Sequence, residues 1–323
     1  MDSARLEPSL MQVLDQRAGT SSTPDARDDD HQVAIAIEGG GMRGTVSAGM
    51  ALALHELGLL RLFDRVYGSS AGAISAAWLL SSRPAGLRGW TDPRFAGTLI
   101  AARNLLRGRP LVDVQRLIET TYVRDFPLDY ASVLANPISI HPLATDVVTG
   151  EAADLNPAIV DGKTLRLALR ASAALPILAG RPIEIAGRRY YDAGLAESIP
   201  FRQALRDGAT HVLVLRSRRG VDRAALGAAG LGARLVAAAG LRDCEPELRA
   251  AYLARNARLA EDDRLLADLD EVNGASVVSI RPTDTSPKIR RLQSDGSLLD
   301  SAFQAGWDAV ALEFEQLRIT SAR

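Results

Sequence analysis

Short apolar runs alternate with helix-like segments over the part of the chain that begins at residue 33. Val33 to Ile37 is an unbroken apolar run, and a second short run covers residues 65–67. Between them, apolar residues recur at helical spacing and end at a glycine: Val46, Met50, Ala53, Leu57 and then Gly58. Unbroken apolar runs are typical of strands covered on both faces, and strand–helix–strand alternation is typical of a parallel sheet. The pattern therefore predicts an α/β fold.

Similar patterns continue to the C-terminal end. We expect strands over 138–148, 211–215 and 276–280, a hairpin over 182–191, and helices over 111–122, 165–174 and 298–317. Residues 82–110, rich in Arg, Gly and Pro, are expected to form a loop or a cap insertion, and residues 222–270 are expected to be mostly helical. No internal repeat or clear linker divides the chain, so the pattern favours one domain.

The sequence favours three regions of different character. Residues 1–32 are polar and are expected to form a flexible tail, followed by a motif-bearing part (33–216) and a mostly helical part (217–323) of the same domain. The tail lacks the apolar core of a signal peptide, and no segment is apolar enough to span a membrane. With a single cysteine, Cys244, the chain is expected to be cytoplasmic, with surface contact to a membrane at most.

Charge and composition narrow the function classes. The net charge of −1 among 323 residues argues against a general nucleic-acid binder. No cluster of residues with metal-ligand spacing stands out, and we expect neither a metal nor a cofactor. The candidate chemistry therefore rests on side chains and on glycine-rich turns.

Two glycine-rich turns follow the first two predicted strands. Residues 38–44 read Glu-Gly-Gly-Gly-Met-Arg-Gly, and residues 68–72 read Gly-Ser-Ser-Ala-Gly. A G-x-S-x-G turn between strand and helix exposes its serine, here Ser70, while Gly68 and Gly72 remove side chains that would clash. Three consecutive glycines leave backbone N–H groups that can bind an anion. Both turns lie at one sheet edge, so they predict a nucleophile beside an oxyanion hole.

Two other interpretations compete with this one. Gly39, Gly41 and Gly44 also fit the dinucleotide fingerprint G-x-G-x-x-G, with Asp64 about 20 residues downstream. However, Asp64 precedes the second strand instead of ending it. Alternatively, Ser70, Asp192 and His211 follow the chain order of an α/β-hydrolase triad, although His211 opens its strand, at the edge opposite to the turns.

The carboxylate of Asp192 is an alternative to His211 as the base that would accept the serine proton. Asp192 follows an apolar hairpin strand and precedes Ala193 and Gly194, at a tight turn of small residues. Such an aspartate often only caps its turn. From these residues alone, both roles stay open.

Together, these blocks resemble the patatin-like phospholipases, bacterial members in particular. The match comprises the glycine loop (39–44), the serine turn (68–72) and Asp192-Ala193-Gly194, with further agreement at 144–150 and 171–176. The resemblance covers about residues 33–200, and the C-terminal third agrees only loosely. Two departures are visible: Glu38 stands where aspartate is usual, and Ser198 where asparagine is common.

The resemblance implies a three-layer α/β/α sandwich with a mainly parallel central sheet. It also implies a Ser–Asp dyad without histidine: Ser70 as nucleophile, Asp192 as base, and Gly39, Gly40 and Gly41 as oxyanion donors. Arg43, Gly68, Gly72 and Gly194 would support the site, whereas Asp146 and Ser172 are expected to serve the architecture. For Arg43, an ion pair with Glu38 or another acid competes with binding of a lipid phosphate.

The expected function is hydrolysis of lipid or phospholipid esters through an acyl-enzyme, of the phospholipase A or lysophospholipase type. The alternatives are a Ser-Asp-His esterase and an inactive lipid- or dinucleotide-binding module.

Overall fold

A nine-stranded mixed sheet organises the chain in a computed structural model that describes residues 8–99, 111–176, 178–225 and 230–315. The strands are β1 (Val33–Ile37), β2 (Arg65–Ser69), β3 (Ser139–Asp146), β4 (Ala152–Asp154), β5 (Ile183–Ile185), β6 (Arg188–Asp192), β7 (His211–Leu215), β8 (Glu271–Val272) and β9 (Ala275–Ile280). Along the sheet the strand order is β5-β6-β3-β2-β1-β7-β9-β8, and β4 pairs with β3. The central strands β3, β2, β1, β7 and β9 are parallel, whereas the other strands pair antiparallel.

Helices cover both faces of this sheet. They are α1 (Leu10–Ala18), α2 (Gly44–Glu56), α3 (Ala71–Leu80), α4 (Pro93–Leu99), α5 (Val114–Arg116), α6 (Tyr130–Leu134), α7 (Gly162–Ser172), α8 (Phe201–Arg206), α9 (Leu231–Gly240), α10 (Pro246–Asp268) and α11 (Gly296–Glu313). None of the helices in the described ranges is long and apolar enough to cross a membrane.

The central strand β1 shows why two helical layers are needed. Ile35 and Ile37 pack into a core with α2, α3 and α11, whereas Ala34 and Ala36 pack into a second core with α8 and α10. Successive strand residues point to opposite faces, so an apolar run buries both faces only when each is covered. The predicted three-layer sandwich is thus confirmed.

The prediction of a flexible tail is wrong for residues 8–32. Helix α1 begins at a capping box on Ser9, and its apolar residues are buried in the same core as α2. Arg17 is 1% exposed and pairs with Asp29 at 2.7 Å and Asp64 at 2.9 Å. Asp29, one of the polar residues of the predicted tail, is therefore a partner of a buried arginine. Residues 1–7 lie outside the described ranges.

Other differences concern segments around the sheet. Residues 82–99, part of the segment expected to form a loop or a cap insertion, contain a 3₁₀-helix (Pro84–Thr91) and α4, with Leu87 and Trp90 buried. The rest of that predicted insertion, 100–110, lies outside the described residues, as does Leu317 of the predicted last helix. The predicted helix over 111–122 consists of α5 and a π-helix (Leu117–Asp125). In residues 82–99, buried apolar side chains override a composition typical of loops.

Candidate active site

Ser70 occupies a strained turn between β2 and α3. Its backbone adopts φ 55° and ψ −118°, a conformation that non-glycine residues rarely take and that concentrates at functional sites. The neighbouring glycines permit the turn, since a Cβ on Gly72 would lie 2.2 Å from the Ile37 carbonyl oxygen and one on Gly68 2.4 Å from Ala73 Cα. The sequence thus builds a sharp turn that presents the serine hydroxyl.

A second serine, Ser172, holds this turn in place through a hydrogen bond. The backbone N–H of Ser70 donates to Ser172 Oγ at 2.9 Å, from the last residue of α7. Ser172 is fully buried. This contact agrees with the architectural role expected of Ser172. Asp146 also has such a role, because its Oδ1 accepts from the backbone N–H groups of Val148 and Thr149 at the end of β3.

Asp192 ends β6 and faces Ser70. Ser70 Oγ donates to Asp192 Oδ2 at 2.7 Å, while the Gly194 N–H donates to Oδ1, also at 2.7 Å. Burial raises the pKa of Asp192 to about 6, although both hydrogen bonds and the charge of Arg291 act in the opposite direction. A carboxylate with this pKa is a better proton acceptor than an exposed aspartate.

The glycine loop departs from the prediction at one donor. The Gly39 N–H donates to the Ser198 carbonyl at 3.0 Å, so it is already engaged. The prediction that Gly39 is an oxyanion donor is therefore wrong in this conformation. No described residue accepts a hydrogen bond from the N–H of Gly40 or Gly41. These two N–H groups are the available donors of the loop.

Glu38, at the end of β1, anchors a buried charge cluster beside this loop. Its side chain lies 3.0 Å from Arg216 Nε and 3.3 Å from Arg218 Nε, and it accepts from the Ser217 N–H at 2.7 Å. Burial raises the pKa of Glu38, but the surrounding arginines outweigh it and lower that pKa to about 2. Glu38 is therefore ionised and holds the strand ends of β1 and β7 together.

Of the two roles considered for Arg43, the ion pair with Glu38 or another acid is not formed with any described carboxylate. No described carboxylate lies within salt-bridge distance of it, and its Nε and Nη2 are buried without a hydrogen-bond partner from the described residues. Burial, together with the charges of Arg218 and Arg291, lowers the pKa of Arg43 to about 9. Glu38 is paired with Arg216 and Arg218 instead, so the interpretation in which Glu38 pairs with Arg43 is wrong.

The competing interpretations place their key residues at the opposite sheet edge. His211 Nε2 lies 2.8 Å from the Pro8 carbonyl, at the start of β7, and no histidine lines the cavity formed by the described residues. Asp64 Oδ2 accepts from Arg17 Nη1 and from the Val33 N–H, before β2 begins. Neither residue reaches the turns at the other edge of the sheet, so neither the triad with His211 nor the dinucleotide role of Asp64 fits the geometry.

One group among the described residues has a spacing suited to a metal. Ligand atoms of His141, Asp154 and Asp207 lie within 4.8 Å of one another. His141 already pairs with Asp154 at 2.7 Å and stacks on Tyr67. None of these residues lines the cavity at Ser70.

A cavity of about 340 Å³ opens at Ser70 and Asp192. One set of lining residues is apolar: Val112, Leu175, Pro176, Leu178, Leu195 and Leu292. Another set is cationic: Arg43, Arg218, Arg255 and Arg291. The volume falls in the range of small-molecule sites, and the apolar part suits an acyl chain.

Three of these arginines escaped the sequence analysis. Arg218 follows β7, Arg255 lies on α10, and Arg291 lies on the loop before α11. They stand far from the glycine loop in sequence, and no local pattern marks them. Arg291 reaches the site because its carbonyl accepts the Met42 N–H at 3.0 Å.

Fold and site together define a class of protein: an α/β sandwich with a serine on a tight strand–helix turn, a facing aspartate and an adjacent glycine loop. The family model for patatin-like phospholipases matches residues 35–205. This match covers more than half of the chain, and the protein belongs to the patatin-like phospholipase family.

Individual proteins are more distant. YjjU of Escherichia coli is 26% identical over 193 residues, which are 58% of this chain and 52% of that protein. An NTE family protein of Mycobacterium tuberculosis is 28% identical over 179 residues, 52% of this chain and 44% of that protein. The chain therefore aligns with only about half the length of these curated relatives. Among solved structures, VipD from Legionella pneumophila aligns with a TM-score of 0.44 at 14% identity, over 90% of this chain and 67% of that one.

Proposed function

We propose that this protein is a serine acyl hydrolase of lipid esters that uses Ser70 and Asp192 as a catalytic dyad. Membership of the family supports lipid hydrolysis in general terms. The observation that carries the dyad is the 2.7 Å hydrogen bond from Ser70 Oγ to Asp192 Oδ2, made from a strained turn that opens into a cavity.

The proposed reaction proceeds through an acyl-enzyme. Ser70 Oγ attacks the ester carbonyl while its proton passes to Asp192, and the N–H groups of Gly40 and Gly41 stabilise the oxyanion. Asp192 then gives the proton to the leaving alcohol, so that the C–O bond of the ester breaks. In the second half, Asp192 takes a proton from water, which attacks the acyl carbonyl, and the proton returns to Ser70 as the acid leaves.

The surroundings support a carboxylate base without histidine. The pKa of Asp192, raised to about 6, brings the base nearer to the operating pH. The amino end of α3 directs its dipole toward the oxyanion, and the buried arginines add positive charge on the same side. Removal of one oxyanion donor typically costs about 10²–10³ in rate, so these fixed charges contribute at the scale that catalysis requires.

The lining residues indicate a lipid substrate. An apolar set of side chains next to Ser70 suits an acyl chain, and Leu178 and Leu292 are 38% and 46% exposed. Apolar side chains that line a cavity and remain exposed suit contact with an aggregated lipid or a membrane surface. We also propose a cytoplasmic location for this activity.

The decisive experiment is covalent labelling with a fluorophosphonate, followed by intact mass and peptide mapping. We expect one equivalent on Ser70, with loss of turnover of a short-chain ester in both Ser70→Ala and Asp192→Asn. The matched control is Ser301→Ala, which removes an exposed serine on α11. Circular dichroism of each variant verifies folding.

Two outcomes would refute the proposal. Full turnover by folded Asp192→Asn would exclude the dyad. Absence of labelling, with no hydrolysis of any ester, would identify an inactive binding module.

A further inference from the structure

The cavity at Ser70 carries more positive charge than its carboxylates compensate. Among the described lining residues, four are arginines (Arg43, Arg218, Arg255 and Arg291), and the single carboxylate is Asp192. Of these arginines, only Arg218 has a described carboxylate within 4.0 Å, and it shares that carboxylate, Glu38, with Arg216. The cavity therefore has an uncompensated positive charge.

Two of these arginines are held away from bulk water. Arg218 is 7% exposed, and the Nε and Nη2 atoms of Arg43 are buried without a described hydrogen-bond partner. Burial of an unpaired charge costs several kcal/mol unless a counter-charge and hydrogen bonds accompany it. A bound anion would supply both.

The positively charged arginines lie beside the glycine loop, where the ester carbonyl of the substrate is expected. An atom at the Cβ position of Gly40 would lie 3.1 Å from Arg43 Nε, so the guanidinium runs along the glycine loop. The Met42 N–H donates to the Arg291 carbonyl at 3.0 Å, and this hydrogen bond places Arg291 beside the same loop. An anion between these arginines would therefore lie next to the ester carbonyl. In a glycerol phosphate ester, the acyl oxygen and the phosphate stand on one short glycerol backbone, on adjacent carbons in a 2-acyl ester and on the two end carbons in a 1-acyl ester.

We infer that Arg43, Arg218 and Arg291 form a phosphate subsite, and that the substrate is an acyl ester with a terminal phosphate, of the lysophosphatidic or phosphatidic acid type. This inference rests on the proposed function and narrows its substrate. A phosphomonoester carries a charge of about −1.5 to −2 at pH 7, and guanidinium groups bind its oxygens in pairs. Arg218 and Arg291 would be the specificity-determining residues.

The same cavity offers little to a phosphocholine headgroup. Quaternary ammonium groups are bound by aromatic faces or carboxylates. Tyr252 is the aromatic residue among the described lining residues, and its ring is covered by the Arg255 guanidinium, whose carbon lies 3.7 Å from the ring centroid. The lining carboxylate is Asp192, which is engaged by Ser70. A zwitterionic lipid would place its cation among arginines.

The test compares three substrates with the same acyl chain: lysophosphatidic acid, monoacylglycerol and lysophosphatidylcholine. Because a hydrogen bond to a charged group contributes about 1.5–3 kcal/mol, we expect kcat/KM for the phosphomonoester to exceed that for monoacylglycerol by at least about tenfold. Arg291→Gln should lower this ratio by about three- to tenfold, since its side chain is exposed and partly screened. The matched control, Arg290→Gln on the same loop, should leave the ratio unchanged.

Several outcomes would overturn the inference. A wild-type ratio near one, equal turnover of lysophosphatidylcholine, or a ratio that Arg291→Gln does not change would each do so. Inorganic phosphate separates the two sources of the anion: if it inhibits hydrolysis of a neutral ester while no preference for lysophosphatidic acid exists, the subsite holds free phosphate and not a headgroup.

Failure of the proposed hydrolase function can be distinguished from failure of the phosphate subsite. Labelled Ser70 with monoacylglycerol turnover and a ratio near one would leave the hydrolase standing and refute the phosphate subsite. If neither labelling nor turnover is observed, calorimetric titration with glycerol 1-phosphate tests the phosphate subsite directly. Binding that weakens in Arg291→Gln would support the subsite alone, and no binding would refute both.

Discussion

The pH dependence of ester hydrolysis follows from the environment of Asp192. Burial raises the pKa of this carboxyl to about 6, from 3.8 for an ordinary aspartate. The base must be ionised to accept the Ser70 proton, so activity should fall as the pH drops through this value. At pH 5, a group with a pKa of 6 is ionised to about 9%, so kcat/KM should be about tenfold below its plateau. An aspartate of ordinary pKa would lose less than about 10% under the same change.

The assay is hydrolysis of a neutral p-nitrophenyl ester between pH 4 and 8, read at the isosbestic wavelength of the product. A neutral substrate matters because a phosphate group would titrate in the same range. Circular dichroism at each pH separates loss of the base from loss of the fold. A midpoint near pH 4, or a flat profile in folded protein, would refute the proposed role of Asp192.

The charge of Arg291 provides an internal check on this profile. Arg291 lowers the pKa of Asp192. Its removal in Arg291→Gln should therefore move the midpoint to higher pH, whereas the control Arg290→Gln should keep the wild-type midpoint.

Two predictions concern stability and are measured by urea unfolding. Glu38→Gln should lower the free energy of unfolding by about 3–5 kcal/mol, because Arg218 would lose its buried counter-charge and Arg216 would keep only Asp263. The exposed Glu151→Gln should change it by less than about 0.5 kcal/mol, and equal effects would contradict the assigned role. Gly72→Ala should cost about 1–3 kcal/mol, because its Cβ would lie 2.2 Å from the Ile37 carbonyl oxygen. Gly97→Ala, where a Cβ meets no atom within 4 Å, is the matched control, and a similar loss there would refute the steric argument.

Much of the sheet could be predicted from the sequence because its strands are short and strongly patterned. The run from Val33 to Ile37 is apolar at every position and is buried at every position. The helices within 82–99 could not be predicted from a composition typical of loops, since burial of Leu87 and Trp90 depends on surfaces that only the folded chain provides. The burial of α1 also depends on the folded chain, because its Arg17 pairs with Asp64, which directly precedes β2.

By itself, the sequence determined the local parts of the candidate site. The glycines around Ser70 specify a tight turn because any side chain there would overlap backbone. Asp192 lies in its own short turn, but its role as a base was an expectation only from the resemblance to the family. Only the tertiary structure decided which groups are engaged: the Gly39 N–H is bound to Ser198, and Glu38 is paired with Arg216 and Arg218. These contacts join residues more than 150 positions apart. Charge and hydrogen bonding act through space, so a local pattern cannot specify them. Arg218, Arg255 and Arg291 were therefore recognised only in the folded chain, where β7, α10 and the loop before α11 lie beside the glycine loop.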